Sequence, residues 1–217
     1  MPRDEIRIQV PGAGSVSALR TDAPGARWTF VYAPGAGSNM HDPFGSYAAR
    51  ELASHGVTTV RFQFPYMEAG RRGPDRPPVL EVAWRAVIAV VRDTETRLVV
   101  GGRSMGGRIA SQVVVENVEV DALALFAYPL HLPGKPEQTR DAHLAQISVP
   151  VLFCSGMNDA FGSPDKLRTA ARKAPRATLH LLEGADHGFT THRSSGRSRE
   201  DVWAEAVEAM VEWLGEV

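Results

Sequence analysis

Short apolar runs recur along this chain at residues 28–33, 57–64, 98–101, 122–128, 149–154 and 178–182, and the segments between them carry a helical repeat. Runs of that length suit strands covered on both faces, as in a parallel sheet. Residues 79–93 show the intervening pattern, with Leu80, Ala83, Trp84, Val87, Val90 and Val91 spaced to form one helical face. Residues 44–54, 105–116, 164–173 and 200–214 read the same way, and the first of these stops at His55-Gly56. Two alternating segments, 6–10 and 16–19, flank Pro11-Gly12-Ala13-Gly14 and predict a hairpin. A hairpin followed by alternating strands and helices predicts an α/β fold: a mostly parallel sheet, an N-terminal antiparallel hairpin and helices on both faces. The stretches 65–78 and 192–199 read as polar loops over one domain spanning residues 1–217.

Composition narrows the function classes. With 43% hydrophobic and 23% charged residues among 217, the chain is an ordinary globular one. Its 24 Lys+Arg against 25 Asp+Glu leave a net charge of −1, which argues against nucleic acid as a partner. No apolar run approaches the ~18 residues of a membrane span, and Met1-Pro2-Arg3-Asp4-Glu5 leads into no apolar signal core. A single cysteine, Cys154, excludes an internal disulfide framework, so the expected location is cytoplasmic. Cys154 itself sits in an apolar run and reads as a small core residue.

The segment from Leu98 to Ala110 contains Gly102-Arg103-Ser104-Met105-Gly106, a G-x-S-x-G pattern. Given 20 Gly and 13 Ser in the chain, chance supplies roughly 0.1 copies, so the pattern needs its context. A strand precedes Ser104 and a helix follows it, as a nucleophile elbow requires. A helix starting at Met105 aims free N–H groups at developing negative charge.

A nucleophilic serine needs a base and an acid that orients it, and in strand-to-helix elbows these follow in the order Ser, Asp/Glu, His. His187, in Glu183-Gly184-Ala185-Asp186-His187-Gly188-Phe189, lies just past a strand end and is the expected base; His180 alternates within that strand and reads as structural. Asp159, beyond the run 149–154, is the expected acid. Asp186 and Glu183 are rivals, although a residue adjacent to His187 rarely reaches its ring. An oxyanion hole needs two backbone donors: Met105 supplies one, and Ala36, in the loop Tyr32-Ala33-Pro34-Gly35-Ala36-Gly37-Ser38, supplies the other.

These residues resemble the α/β-hydrolase superfamily over nearly the whole chain. More narrowly, the chain resembles dienelactone-hydrolase-related small hydrolases, closest to the KANL/Tex-type hydrolase-like domain family. Ala33-Pro34-Gly35-Ala36-Gly37, Phe62-Gln63-Phe64-Pro65-Tyr66, Gly102-Arg103-Ser104-Met105-Gly106-Gly107, Tyr128-Pro129-Leu130-His131 with Pro133-Gly134-Lys135-Pro136, and Gly184-Ala185-Asp186-His187-Gly188 carry it. The resemblance implies an α/β-hydrolase fold with Ser104 as nucleophile, Asp159 as acid and His187 as base. The chain differs from dienelactone hydrolases proper, which use a cysteine nucleophile, and has Pro34-Gly35 where many esterases carry His-Gly.

The expected reaction is two-step acyl transfer on a small carboxylic ester or thioester, with no metal or cofactor. The alternative is a hydrolase-like interaction module without turnover. Only residues 129–148 separate two strands, too few for a large cap, which favours small accessible substrates. Arg103 is expected either to pair with an acidic neighbour or, with the loop residues Arg71, Arg72 and Arg76, to favour an anionic substrate. Tyr66 and Gly35 are further candidates for substrate contact. His41 and Asp42 make a poor metal pair without a third ligand. The chain is expected to be a monomer or homodimer.

Overall fold

The computed structural model describes residues 4–116 and 118–217; residues 1–3, where the absence of a leader was read, lie outside them. Eight strands form one sheet in the order β1-β2-β4-β3-β5-β6-β7-β8. The strands β1 (Asp4–Val10) and β2 (Gly14–Thr21) make the antiparallel hairpin, with Ile6 opposite Ala18 and Ile8 opposite Val16. Strand β2 also runs antiparallel to β4 (Val57–Phe62). Every other neighbour is parallel: β3 (Trp28–Ala33) lies between β4 and β5 (Arg97–Arg103), followed by β6 (Ala122–Phe126), β7 (Val151–Gly156) and β8 (Ala177–Leu182). This is the α/β-hydrolase arrangement.

Helices cover both faces, which is why β3, β4, β6 and β7 are buried at every position. Val31 and Ala33 of β3, Leu123 and Leu125 of β6, and Val151 and Phe153 of β7 pack with α3 (Pro77–Val91), α4 (Met105–Val114) and α5 (Pro164–Ala171). Phe30 and Tyr32, Ala124 and Phe126, and Leu152 and Cys154 face the opposite way, towards α1 (Pro43–Ser54) and α6 (Arg199–Glu216). Alternate residues of one strand thus feed two separate cores. Cys154 is fully buried, and that burial pushes its thiol pKa far up.

The structure departs from the sequence reading in several places; residues 192–199, for one, are not all loop, since Arg193–Ser195 forms a 3₁₀ turn and α6 begins at Arg199. Residues 65–78 are not all loop: Pro65–Glu68 forms the short helix α2, and α3 begins at Pro77. The cause lies at Phe64, which precedes a proline and is extended (φ −77°, ψ 158°), so β4 stops at Phe62 and Pro65 opens a helix. The run 178–182 is an edge strand and only half buried. His180 points outward there, its Nε2 2.8 Å from Glu205 Oε1 on α6, so its role is structural. Finally, β5 continues through Arg103 rather than ending at Gly101, which carries the strand right up to Ser104. Among the described residues no helix is long and apolar enough to cross a membrane.

Candidate active site

Ser104 is the single residue between β5 and α4, with φ 50° and ψ −118°. That conformation is costly for an L-residue and persists only when its surroundings enforce it. Its N–H donates to Phe126 O on β6 at 2.8 Å. Glycines on either side allow the chain to turn so sharply. A Cβ on Gly102 would lie 2.0 Å from Ala33 O, and one on Gly106 2.2 Å from the same atom. Only glycine lets both limbs of the elbow press against the end of β3.

Two loops at the same edge of the sheet complete the arrangement. Asp159, three residues beyond the end of β7, has a side chain with 0% exposure. Its Oδ1 accepts from the Phe161 N–H at 2.7 Å, and its Oδ2 accepts from His187 Nδ1–H at 2.7 Å. Since the carboxylate can only accept, Nδ1 carries the proton and Nε2 is left as an acceptor. Nε2 lies 2.9 Å from Ser104 Oγ. Ser104, His187 and Asp159 therefore stand in one hydrogen-bonded line, drawn from three different strand-end loops. Phe161 stacks on the imidazole, ring centroids 4.1 Å apart at 29°.

Asp186, the first rival for the acid, is engaged elsewhere. Asp186 accepts from the Gly188 and Thr190 N–H groups and the Thr190 hydroxyl at 2.7–3.0 Å, folding the loop that carries His187. Burial alone would raise its pKa, but those hydrogen bonds and the Arg103 charge hold it below the ordinary carboxylate value. Glu183 is exposed.

A cleft of about 410 Å³ opens over Ser104, lined by Gly35, Ala36, Ser38, Asp42, Arg103, Phe161 and His187. Gly35 packs against the serine itself: a Cβ there would be 3.5 Å from Ser104 Cβ. Among the described residues, neither the Ala36 nor the Met105 N–H donates to a partner, which leaves two unpaired amides in the segments that flank Ser104.

Tyr66 does not reach the cleft. It is fully buried, and its hydroxyl oxygen accepts from the Gly37 N–H at 3.0 Å, so it props the loop that carries Ala36 from behind. Burial raises its phenol pKa, partly offset by that N–H. Arg71, Arg72 and Arg76 are also exposed away from the cleft lining, and Arg71 is paired with Asp75 at 2.6 Å. Arg103 does line the cleft, its side chain 18% exposed. Its Nη2–H donates to His187 O at 3.0 Å, and Nη1 lies 3.8 Å from Asp42 Oδ1. Asp42 caps α1, accepting from the Gly45 N–H at 2.8 Å and from the Tyr32 hydroxyl at 2.6 Å. The sequence reading missed Ser38, Phe161 and the cap. Asp42-Pro43 at a helix start carried a signal for the last; nothing marked the other two.

With this geometry established, comparison with known proteins is informative. A model of the alpha/beta hydrolase domain family matches residues 26–215. The chain belongs to that family. Among solved structures, this alpha/beta hydrolase is similar to a lidless alpha/beta serine hydrolase from Xanthomonas campestris, at 20% identity and a TM-score of 0.76, covering 98% of this chain and 96% of that one. It is also similar to an alpha-beta serine hydrolase homologue from Coxiella burnetii, at 22% identity and a TM-score of 0.77, covering 96% and 98%. A dienelactone hydrolase from Anabaena variabilis matches at 17% identity and a TM-score of 0.76, covering 99% and 97%. At these identities the likeness is one of fold.

Proposed function

We propose that this alpha/beta hydrolase is a serine hydrolase that cleaves carboxylic ester or thioester bonds of small accessible substrates. The observation that carries the reading is the line Ser104 Oγ–His187 Nε2 at 2.9 Å and His187 Nδ1–Asp159 Oδ2 at 2.7 Å, on a strained elbow. In this reading His187 takes the proton of Ser104 as Oγ attacks the carbonyl, and buried Asp159 stabilises the imidazolium. The Met105 and Ala36 N–H groups receive the oxyanion. Collapse of the tetrahedral intermediate expels the alcohol or thiol with the proton from His187, and water then releases the acyl group by the same route.

Small substrates are favoured because the segment between β6 and β7 holds only the 3₁₀ turn Ala142–Gln146 and no cap helices, while the cleft is about 410 Å³. The Xanthomonas neighbour is described as lidless, in keeping with that view. The closeness to the KANL/Tex-type domains belongs to the same proposal, as does a cytoplasmic location, which a single buried, free cysteine suits.

The test is fluorophosphonate labelling with the adduct located by mass, together with turnover of a p-nitrophenyl ester and acyl-thioester panel. Labelling of Ser104, lost in Ser104→Ala, is expected, and Asp159→Asn should lower kcat by roughly 10⁴-fold by forcing the wrong imidazole tautomer. Absence of any adduct, with turnover no higher than Ser104→Ala, refutes hydrolysis and leaves an interaction module.

A further inference from the structure

Arg103, the residue immediately before Ser104, closes a network that the hydrolytic steps do not use. We propose that Arg103 is a positioning residue for the base: its guanidinium ties the main chain of the His187 loop to the elbow, with Asp42 steadying it from the other side. This rests on the reading of Ser104, His187 and Asp159 as nucleophile, base and acid.

The His187 loop is otherwise secured from the β7–β8 side. The Asn158 N–H donates to Ala185 O at 2.8 Å, its side-chain amide to Gly184 O at 3.1 Å, and Asp186 folds the loop on itself. Among the described residues, the hydrogen bonds that cross from this loop to the elbow are Ser104–His187 itself and Arg103 Nη2–H to His187 O. The second reaches the backbone of the base, so it fixes the position of the imidazole without competing for its nitrogens. The guanidinium is in turn located by Phe189, whose ring centroid lies 5.6 Å below it, and by Asp42 at 3.8 Å. Asp42 is not free to follow a wandering arginine. Its Oδ2 is held by the Tyr32 hydroxyl from β3 and by the Gly45 N–H from α1. Burial and the Asp42 charge push the Tyr32 phenol pKa well up, so it stays a donor.

The same arrangement decides between the two roles the sequence allows for Arg103. Its charge lies 3.8 Å from Asp42 Oδ1, and its field also helps to hold the Asp186 carboxyl ionised. A cation paired with the buried Asp42 and bonded to a carbonyl is engaged by the protein rather than kept for an anionic substrate.

The experiment compares Arg103→Ala and Arg103→Lys in the full chain, on neutral and carboxylated p-nitrophenyl esters. Arg103→Ala is expected to lower kcat roughly 10- to 100-fold, with KM on both kinds of ester within about threefold, since a misplaced base slows chemistry rather than binding. Added guanidinium should restore part of that kcat. Arg103→Lys should fall between, because one ammonium cannot span both the carbonyl and Asp42. Unchanged kcat, or a loss confined to KM for the carboxylated ester, overturns the proposal. Should Arg103→Ala not fold, Arg103→Lys decides alone by the same split. Failure of the unsubstituted protein to label at Ser104 sinks the hydrolase reading and this proposal with it; a labelled wild type with unaltered variants sinks the proposal only.

Discussion

The elbow offers a sharp test at Gly106, in the first turn of α4. A Cβ there would sit 2.2 Å from Ala33 O and 2.6 Å from both Ala33 C and Pro34 O. These are main-chain atoms and cannot swing aside as a side chain could. Restoring ordinary contact at 3.4 Å requires a separation of 1.2 Å between the helix start and the end of β3. Alanine gains about 1 kcal/mol of helix propensity over glycine. Overpacking against rigid neighbours costs about 1–3 kcal/mol or more. The same shift strains the bond from Trp84 Nε1–H to Gly106 O, now 3.2 Å, and a weakened hydrogen bond removes up to about 1 kcal/mol further. The clash therefore wins, and Gly106→Ala should lose about 1–3 kcal/mol in urea unfolding, seen as a lower midpoint at constant m. Catalysis should suffer more. The obstructing atoms begin the loop that carries Ala36, and the displaced helix start carries the Met105 amide, so both amides proposed as oxyanion donors move. A displacement near 1 Å costs on the order of 100-fold in kcat. Gly215→Ala is the control: a Cβ at Gly215 meets nothing within 4 Å, so it should be neutral or stabilising by up to about 1 kcal/mol with full activity. A Gly106→Ala protein with wild-type midpoint and kcat would refute the close approach as the reason for glycine here.

Two further perturbations follow. Tyr66→Phe removes the acceptor of the Gly37 N–H, costing about 1–3 kcal/mol in thermal or urea unfolding and lowering kcat severalfold through the Ala36 loop; equal stability and turnover would show that Tyr66 does not prop it. Asp186 has its folded pKa below the ordinary carboxylate value of 3.8, because hydrogen bonds outweigh burial. A depressed carboxyl pKa adds stability above the unfolded value, and this is lost as pH falls through the folded one. Asp186→Asn should therefore lower Tm at pH 7, and the gap to wild type should close as both are titrated below about pH 3.8; a gap that persists at low pH would contradict the hydrogen-bond account.

The local patterns were sufficient for the fold because they are set by short-range geometry. Two-faced apolar runs mark buried parallel strands, and Gly102-Arg103-Ser104-Met105-Gly106 between a strand and a helix marks a turn that only glycine flanks permit. The position of His187 past β8 and of Asp159 past β7, together with Ser104 at the elbow, located three side chains that the folded chain brings into one line. The edge strand β8 was misread as two-faced because the sheet's end is a property of strand order, not of any one strand. Helix α2 was missed because one turn of helix carries no periodic signal; its start depends on the residue before Pro65.

What the sequence could not contain is which groups turn towards the same space. Tyr66 lies in Phe64-Pro65-Tyr66, yet whether its hydroxyl faces a substrate or the Gly37 amide depends on how α2 packs beneath a loop some 29 positions away. Phe161 has no motif, and its stack on His187 arises only because the Asp159 loop curls back through its own backbone bond. Arg103 was legible as an unusual residue at the elbow, with two opposite uses. The tertiary structure favours the positioning use by setting Asp42 and the His187 carbonyl, from two separate segments, beside one guanidinium. Chain-local chemistry names the reacting groups; the balance of charge around them is decided by distance, and distance exists only in the fold.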